Sequence, residues 1–216
     1  MAKSIQQKYG FENPFKPDPL TMKAIRFFNG TKGLKLLDAG CGEGADSVFY
    51  AKKGFKVTAL DLNKEYLKRL RAYCSDQQIS NISIRERSCV TFQYPKNSFD
   101  IVSSILVVCC IKRSEFEKMV GPLKRSVKPG GLIVMSARNY LDPEFRQYKR
   151  SEKSIEPNTY CRKEGCCQYV YFFEKGRLRE VFSGFEILYY HEGFAPCKYN
   201  EHPKHGDSYI ICRRTV

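Results

Sequence analysis

Leu34-Lys35-Leu36-Leu37-Asp38-Ala39-Gly40-Cys41-Gly42-Glu43-Gly44-Ala45 is the stretch on which the reading of this chain turns. A short apolar run that ends in a carboxylate and three alternate glycines reads as a buried parallel strand feeding a ligand loop. Residues 45–53 continue as a helix, closed by the C-terminal stop signal Gly54. Residues 55–60 form a second strand ending at Asp61, and Asn63 caps a helix that runs to 76, with Tyr66, Leu67, Leu70 and Tyr73 inward. Upstream, 17–29 has helical spacing, with Leu20, Ala24, Phe27 and Phe28 on one side. Downstream, 82–86, 99–105 and 132–136 read as strands. Between the last two, Ser114 and Glu117 have the spacing of a capping box for a helix to about 127, and Pro129-Gly130-Gly131 reads as a turn. Strand–helix units alternating over about 100 residues are the signature of a doubly wound α/β domain with right-handed crossovers.

After Ala137 the rhythm changes. Residues 138–168 are polar and irregular and read as an insertion over the top of the sheet. Residues 169–173, a short helix at 176–182, and strands at 185–190 and 208–212 follow, one of the two strands expected antiparallel. With 216 residues, one domain over 1–216 is expected, and no internal repeat is visible. The hydrophobic share of 42% and charged share of 28% are those of a globular protein. No apolar run approaches the roughly 20 residues that cross a bilayer, and the first residues lack a secretory apolar segment. The expectation is a cytoplasmic protein without a membrane partner, a monomer or weak dimer. Ten cysteines, one of them inside the glycine loop, then read as reduced thiols. Cys161, Cys166 and Cys167 lack the second pair that a zinc site needs, so no metal is expected.

The net charge of +14 raises a nucleic-acid reading. Its distribution does not favour it. From Lys112 onward there are 20 Lys+Arg and 13 Asp+Glu, against 17 and 10 before it, so each part carries +7. One basic helix face is conceivable, from Lys64, Lys68, Arg69 and Arg71.

In an open parallel sheet, ligands bind beyond the carboxyl ends of the strands, so the loop after the first strand is the place for a cofactor. Gly40-x-Gly42-x-x-Ala45 by itself also fits a loose dinucleotide fingerprint. Asp38 argues against that, because its carboxylate opposes a pyrophosphate and favours a cofactor that carries an ammonium. Asp61, 17 residues after Gly44, is placed for two ribose hydroxyls under either reading.

LLDAGCGEG (36–44 with Leu36 and Leu37 leading into Asp38), VTALDLN, SFDIVSS and VKPGG, in this order and spacing, closely resemble the motifs of class I, S-adenosylmethionine-dependent methyltransferases. The resemblance covers about 34–136 and implies a Rossmann-like, mostly parallel seven-stranded sheet with S-adenosylmethionine as cofactor. Carried over by position, it implies that Asp38, Gly40 and Gly42 hold the methionine moiety, Asp61 the ribose, and that Leu62 flanks the adenine. Cys41, Ser88, Cys89 and Ile105 complete the expected cofactor contacts. Ser88 stands where the family commonly has an acid, and a hydroxyl accepts a hydrogen bond more weakly than a carboxylate. Ser103-Ser104-Ile105 lacks the Asn/Asp-Pro-Pro-aromatic element of enzymes that methylate base amino groups.

A looser resemblance extends over nearly the full chain. GADSVFYAKKGFKVTALDLN and FFEKGRLREVFSGFEILYYHEG look like the small tellurite-resistance-type methyltransferases, which implies a small acceptor of thiol or chalcogen type. Ala45-Asp46 replaces the Arg-Asn often found there, so an oxyanion acceptor does not follow. The expected acceptor side consists of an N-terminal helical lid at 1–30 bearing Tyr9, the insertion at 138–168 with Arg138, and His202. His205 is the candidate general base, since histidine titrates near neutrality. Two other readings stand beside the small-molecule one: an RNA or protein methyltransferase whose insertion tyrosines Tyr140, Tyr148 and Tyr160 stack on bases, and a catalytically silent domain of this fold that serves for binding.

Overall fold

The computed structural model describes residues 16–162, 167–196 and 204–215. Five parallel strands form the sheet expected from the motif order: β1 (Lys35–Ala39), β2 (Lys56–Asp61), β3 (Ile82–Glu86), β4 (Phe99–Ile105) and β5 (Val127–Arg138). Two long strands, β8 (Phe185–Pro196) and β9 (Lys204–Arg214), complete seven in the order β3-β2-β1-β4-β5-β9-β8. β9 runs antiparallel to both β5 and β8, so it alone opposes the other six. The switch in strand order falls between β1 and β4, where β1 pairs with β2 on one side and β4 on the other.

Side-chain alternation along the strands explains the two layers of core. Leu36, Val57, Ile101, Leu132, Val134 and Ile211 face α1 (Pro19–Ala24) and α2 (Ala45–Lys52), where Leu20, Ala24, Tyr50 and Phe55 meet them. Leu37, Leu60, Val102, Ile133, Met135 and Ile210 face α4 (Arg113–Ser126), through Phe116, Met119 and Leu123. α3 (Lys64–Asp76) packs Leu70, Tyr73 and Cys74 against Val48.

The structure corrects several boundaries. α1 is shorter than its periodicity suggested, because Asp18 caps it at Leu20 and Pro19 opens it, while residues 25–27 tighten into a 3-10 turn. The capping box at α4 sits two residues earlier than read. Glu115 accepts the Lys112 N–H at 2.8 Å, and Ser114 is instead bound by Glu156 through both its N–H and its hydroxyl. Pro129-Gly130-Gly131 lies within β5 beside an irregular register between Phe99 and Ile101; it does not precede the strand.

The described residues of the insertion form regular structure where the sequence looked irregular. It holds α5 (Pro143–Ser151) and a small hairpin of β6 (Thr159–Cys161) with β7 (Tyr169–Tyr171). Tyr160, Val170 and Phe172 form a separate core, with Phe145 and Tyr148 against it. The closing strands extend far past their expected ends. Residues 193–196 of β8 pair with 207–204 of β9, so this hairpin overhangs the carboxyl edge of the sheet beyond Arg138. α6 (Arg177–Val181) packs Leu178 beneath it.

Candidate active site

The glycine loop is pinned by the neighbouring strand. The N–H groups of Gly40 and Cys41 both donate to the Leu60 carbonyl at 2.8 Å, which folds the loop back over the end of β2. Gly40 has φ +87°, and a Cβ there would lie 2.4 Å from Val107 in the turn after β4. No larger residue fits. Gly42 also has a positive φ, but a Cβ there would meet nothing within 4 Å. It lines open space at the loop's outer surface, as backbone in contact with a ligand must.

Asp38 lies beneath the loop, 2% exposed, and accepts a 2.6 Å hydrogen bond from Ser47 Oγ. Its carboxyl is pushed up to about 7, chiefly by burial, then by Asp46, with Asp61 adding and Ser47 opposing. A cation placed against it, such as an amino-acid ammonium, favours the ionised form and relieves that strain. Asp46 heads α2 and accepts the Asp18 N–H at 2.8 Å, which ties α1 to the same corner. Ser47 was not singled out from sequence, and Asp46 only as a departure from the Arg-Asn pair. Their position in the first turn after the glycines was the available signal.

Asp61 bridges two loops: Oδ2 accepts the Gly42 N–H and Oδ1 the Asn63 N–H, each at 2.8 Å. A carboxylate offers about four acceptor sites, so each oxygen keeps one for a vicinal diol. Next to it Leu62 is 64% exposed, an apolar side chain placed where a flat heterocycle would cover it. The residues thus fit S-adenosylmethionine at three points: an acid for the ammonium, a second acid for the ribose and an apolar flank for the adenine.

The remaining predicted contacts line the same edge. Ser88 Oγ already accepts the Val90 N–H at 3.1 Å, which leaves it one further acceptor site. Cys89 is buried, its thiol pushed up to about 11 by burial and then by the Asp61 charge, which places it near that acid. Burial with Asp38 and Asp61 likewise pushes up the Cys41 thiol, so it is a neutral wall and not a nucleophile. Ile105 ends β4, and Leu106 follows at φ +55°, held by Ser136 through its hydroxyl and carbonyl.

The residues expected on the acceptor side lie far apart in sequence. Arg138 ends β5, with its Nη1 3.3 Å from Asp142 Oδ2 and 3.5 Å from Asp207 Oδ1. His205 Nδ1 is 3.1 Å from the same Asp142 oxygen, and the imidazole is buried. Cys109 feels the charges of Arg138 and Asp207 and has a lowered thiol pKa, first through its bond from Cys110. The structure therefore brings Arg138 and His205 together, and adds Asp142, which the sequence gave no reason to choose. Tyr9 and His202 lie outside the described residues.

Two features bear on the nucleic-acid reading. Tyr160 is buried, and Tyr148 packs on it with centroids 5.3 Å apart and against Phe172. On α3, Lys64 pairs with Glu86, Arg69 with Glu43, and Arg71 reaches the Ile84 carbonyl, so the basic face is partly neutralised. A groove of about 710 Å³ opens at the opposite, amino end of the strands, among Lys35, Lys56, Arg85 and Phe92, away from all these groups. Among the described residues, no helix is long and apolar enough to cross a membrane.

Residues 36–131 match the family described as "Methyltransferase domain". A demethylmenaquinone methyltransferase of Tropheryma whipplei is 30% identical over 132 residues, covering 59% of this chain and 53% of the relative. A tRNA N(3)-cytidine methyltransferase of Danio rerio is 24% identical over 200 residues, 84% of this chain and 53% of that one. A thiol S-methyltransferase of Rattus norvegicus is 29% identical over 148 residues, 66% and 58%. The chain thus spans a little over half the length of these relatives. Among solved structures, TehB from Haemophilus influenzae superposes with a TM-score of 0.73 at 17% identity, covering 98% of this chain and 66% of that one. A Burkholderia thailandensis 1,6-didemethyltoxoflavin-N1-methyltransferase with bound S-adenosylhomocysteine does so at 0.67 and 14%, over 92% and 77%.

Proposed function

We propose that this chain, which carries a class I, S-adenosylmethionine-dependent methyltransferase domain, transfers the cofactor's methyl group to a small-molecule nucleophile, with a thiol or related chalcogen as the acceptor. The observation that carries this reading is the corner formed by buried Asp38, the open face at Gly42 and the bridging Asp61. The bound cofactor supplies an electrophilic methyl on a sulfonium. The chain's own work is alignment of the acceptor with that methyl, worth up to about 7–11 kcal/mol when reacting groups are well held. Asp38 and Asp61 orient the cofactor's two ends. The turn after β4, seated on Gly40 through Val107, forms the floor between cofactor and acceptor. Arg138 and His205 form the far wall, with residues 138–168 as a substrate-side insertion and 1–30, bearing Tyr9, as a lid. His202 belongs to the same side, and the protein works in the cytoplasm as a monomer or weak dimer.

The test is transfer of labelled methyl from S-adenosylmethionine to a panel of alkyl and aryl thiols, selenite and total tRNA at 150 mM salt. Labelled thiols with unlabelled tRNA are the expected result. The tRNA methyltransferases among the relatives favour the second reading, RNA methylation. Labelling of one RNA species with every small acceptor untouched replaces the first reading with the second. Binding of the cofactor without transfer to anything in the panel points to the silent domain.

A further inference from the structure

One crossover of the parallel sheet carries no helix. β1 and β2, β2 and β3, and β4 and β5 are joined through α2, α3 and α4, whereas residues 87–98, between β3 and β4, form only turns. Leu37 and Leu60 lie on the face that α4 packs against, so alternation and register put Lys35, Lys56, Thr58, Ser83 and Arg85 on that same face. With no helix over β2 and β3, these five line an open groove of about 710 Å³ towards the amino end of the strands.

The groove is cationic and its floor is polar. Lys35 and Lys56 are register partners on adjacent strands, about 4.8 Å apart along the sheet. Arg85 stands opposite Leu60, four residues on from Lys56, which is roughly 13 Å at about 3.3 Å per residue. Its Nε donates to Ser83 Oγ at 3.2 Å, which leaves the outer N–H groups of the guanidinium for a ligand. Among the described residues, no carboxylate makes an ion pair with Lys35, Lys56 or Arg85. Glu86 turns to Lys64, and Asp100 is held by Lys128 Nζ on both oxygens and by the Lys35 N–H. One wall is aromatic. Phe92 is half-buried there, and Tyr94 props it edge-on with centroids 5.1 Å apart. Tyr94 is in turn fixed by its hydroxyl, which donates to the Cys89 carbonyl at 2.6 Å.

We propose that this groove binds a single-stranded nucleic acid, its phosphates on Lys35, Lys56 and Arg85 and a base against Phe92. Cations that track a backbone beside an aromatic face that takes a base are the combination such strands require. Other occupants fit less well. An acidic helix needs an apolar strip to pack on, and Thr58 and Ser83 make this floor polar. A second copy of this chain brings its own charge of +14. The groove is also separate from the methyl-transfer corner. Lys56 and Asp61 stand at opposite ends of β2, roughly 17 Å apart at about 3.3 Å per residue. The proposal therefore does not depend on which acceptor the methyl reaches.

The experiment is fluorescence anisotropy of the full chain with labelled ten-nucleotide RNA and DNA strands of mixed sequence, from 50 to 300 mM salt. Three phosphate contacts contribute about 2 to the slope of log affinity against log salt, at about 0.7 each. Lys35→Gln, Lys56→Gln and Arg85→Gln together should flatten the slope by that amount. Lys118→Gln, Lys149→Gln and Lys175→Gln, which remove equal charge from exposed positions elsewhere, should leave it unchanged. Phe92→Leu keeps an apolar side chain but loses the stacked ring, and should weaken binding about tenfold at every salt concentration. Titration with S-adenosylhomocysteine, expected to match the wild type, shows that each variant is folded. Binding of the RNA, the DNA or both supports the site and tells which strand it takes. Binding of neither at 50 mM salt, equal losses in the two triple variants, or a Phe92→Leu protein that binds as the wild type does overturns the proposal. So does a ten-residue poly-glutamate that displaces the strand at equal concentration, since any polyanion then suffices.

Discussion

The two halves of the carboxyl edge are built on different scales. The cofactor half is local: Asp38, Gly40, Gly42 and Ser47 fall within ten residues, and Asp61 and Asn63 fall within three. Its hydrogen bonds run between loops that follow adjacent strands, as when Asp61 receives the Gly42 N–H. The half proposed for the acceptor is assembled over long separations, with Asp142 meeting His205 across 63 residues and Arg138 meeting Asp207 across 69. A loop that cradles an invariant ligand can be written as a short string. A wall that meets a particular acceptor is made wherever the insertion and the terminal hairpin come together.

The sharpest way to break this contrast is at Gly40. Alanine there meets Val107 at 2.4 Å and must adopt φ +87°. Left-handed backbone costs about 1–2 kcal/mol and overpacking about 1–3 more. Affinity for S-adenosylhomocysteine should fall by about a hundredfold or more, measured by calorimetric titration. An unchanged dissociation constant means the turn after β4 yields freely and does not set the floor of the site.

Asp61→Ala comes next. It removes a carboxylate that holds Gly42 and Asn63 and is placed to take the ribose. A hydrogen bond to a charged group is worth about 1.5–3 kcal/mol, so cofactor affinity should drop by roughly 10- to 150-fold. Affinity equal to wild type refutes the ribose role and leaves the local half resting on Asp38 alone.

The same contrast of scale accounts for what was legible. The succession of strands and helices, the glycine loop and both acids follow from apolar runs punctuated at fixed offsets, and the structure places the loop and the acids together. The ordered insertion was missed because Tyr148, Tyr160 and Phe172 build their core only once α5 folds over the β6–β7 hairpin. Asp142 goes unread in a stretch that looks irregular, and in the structure it caps α5 ahead of Pro143. Its other oxygen is explained only by Gly206, whose glycine identity follows from a backbone contact invisible in the string. The capping box at α4 was misplaced because Ser114 serves Glu156, a partner 42 residues away.

Acid sharpens the comparison at Asp38. Its carboxyl is raised to about 7 in the ligand-free protein, mainly by burial. An ammonium beside it favours ionisation, so below pH 7 binding must expel a proton. S-adenosylhomocysteine affinity should weaken about tenfold for each pH unit below 7 and level off above it. Stability shows the opposite sign. The folded pKa exceeds the unfolded one of about 4, so Asp38 costs the ligand-free protein stability as pH rises from about 4 to 7. Asp38→Asn should remove both trends, and titrations at pH 6 and 8 with thermal melts check them together. An affinity that ignores pH in the wild type shows that the ammonium is held by another group.

The smallest effect expected tests how far the local half extends. Ser88 stands two residues past the end of β3, where a carboxylate would suit the adenine amino group, and its hydroxyl already takes the Val90 N–H. Aspartate can hold the same turn, since its side chain also accepts from the backbone two residues on. Its second oxygen then faces the adenine. Bonds to a charged acceptor exceed neutral ones by about 1 kcal/mol, so Ser88→Asp should tighten S-adenosylhomocysteine binding about fivefold. Asp61 opposes the gain, because a second carboxylate near it and the Cys89 thiol raises the local negative charge. That competition can be separated by salt. Repulsion at the half-exposed rim is screened at 0.5 M, where the Debye length shrinks to roughly half its physiological value, while the direct hydrogen bond persists. Tighter binding that grows with salt places the adenine amino group against residue 88. If Ser88→Asp and the wild type bind alike at both ionic strengths, the adenine is held by Leu62 and backbone alone, and the acid-bearing part of the local half ends at Asp61.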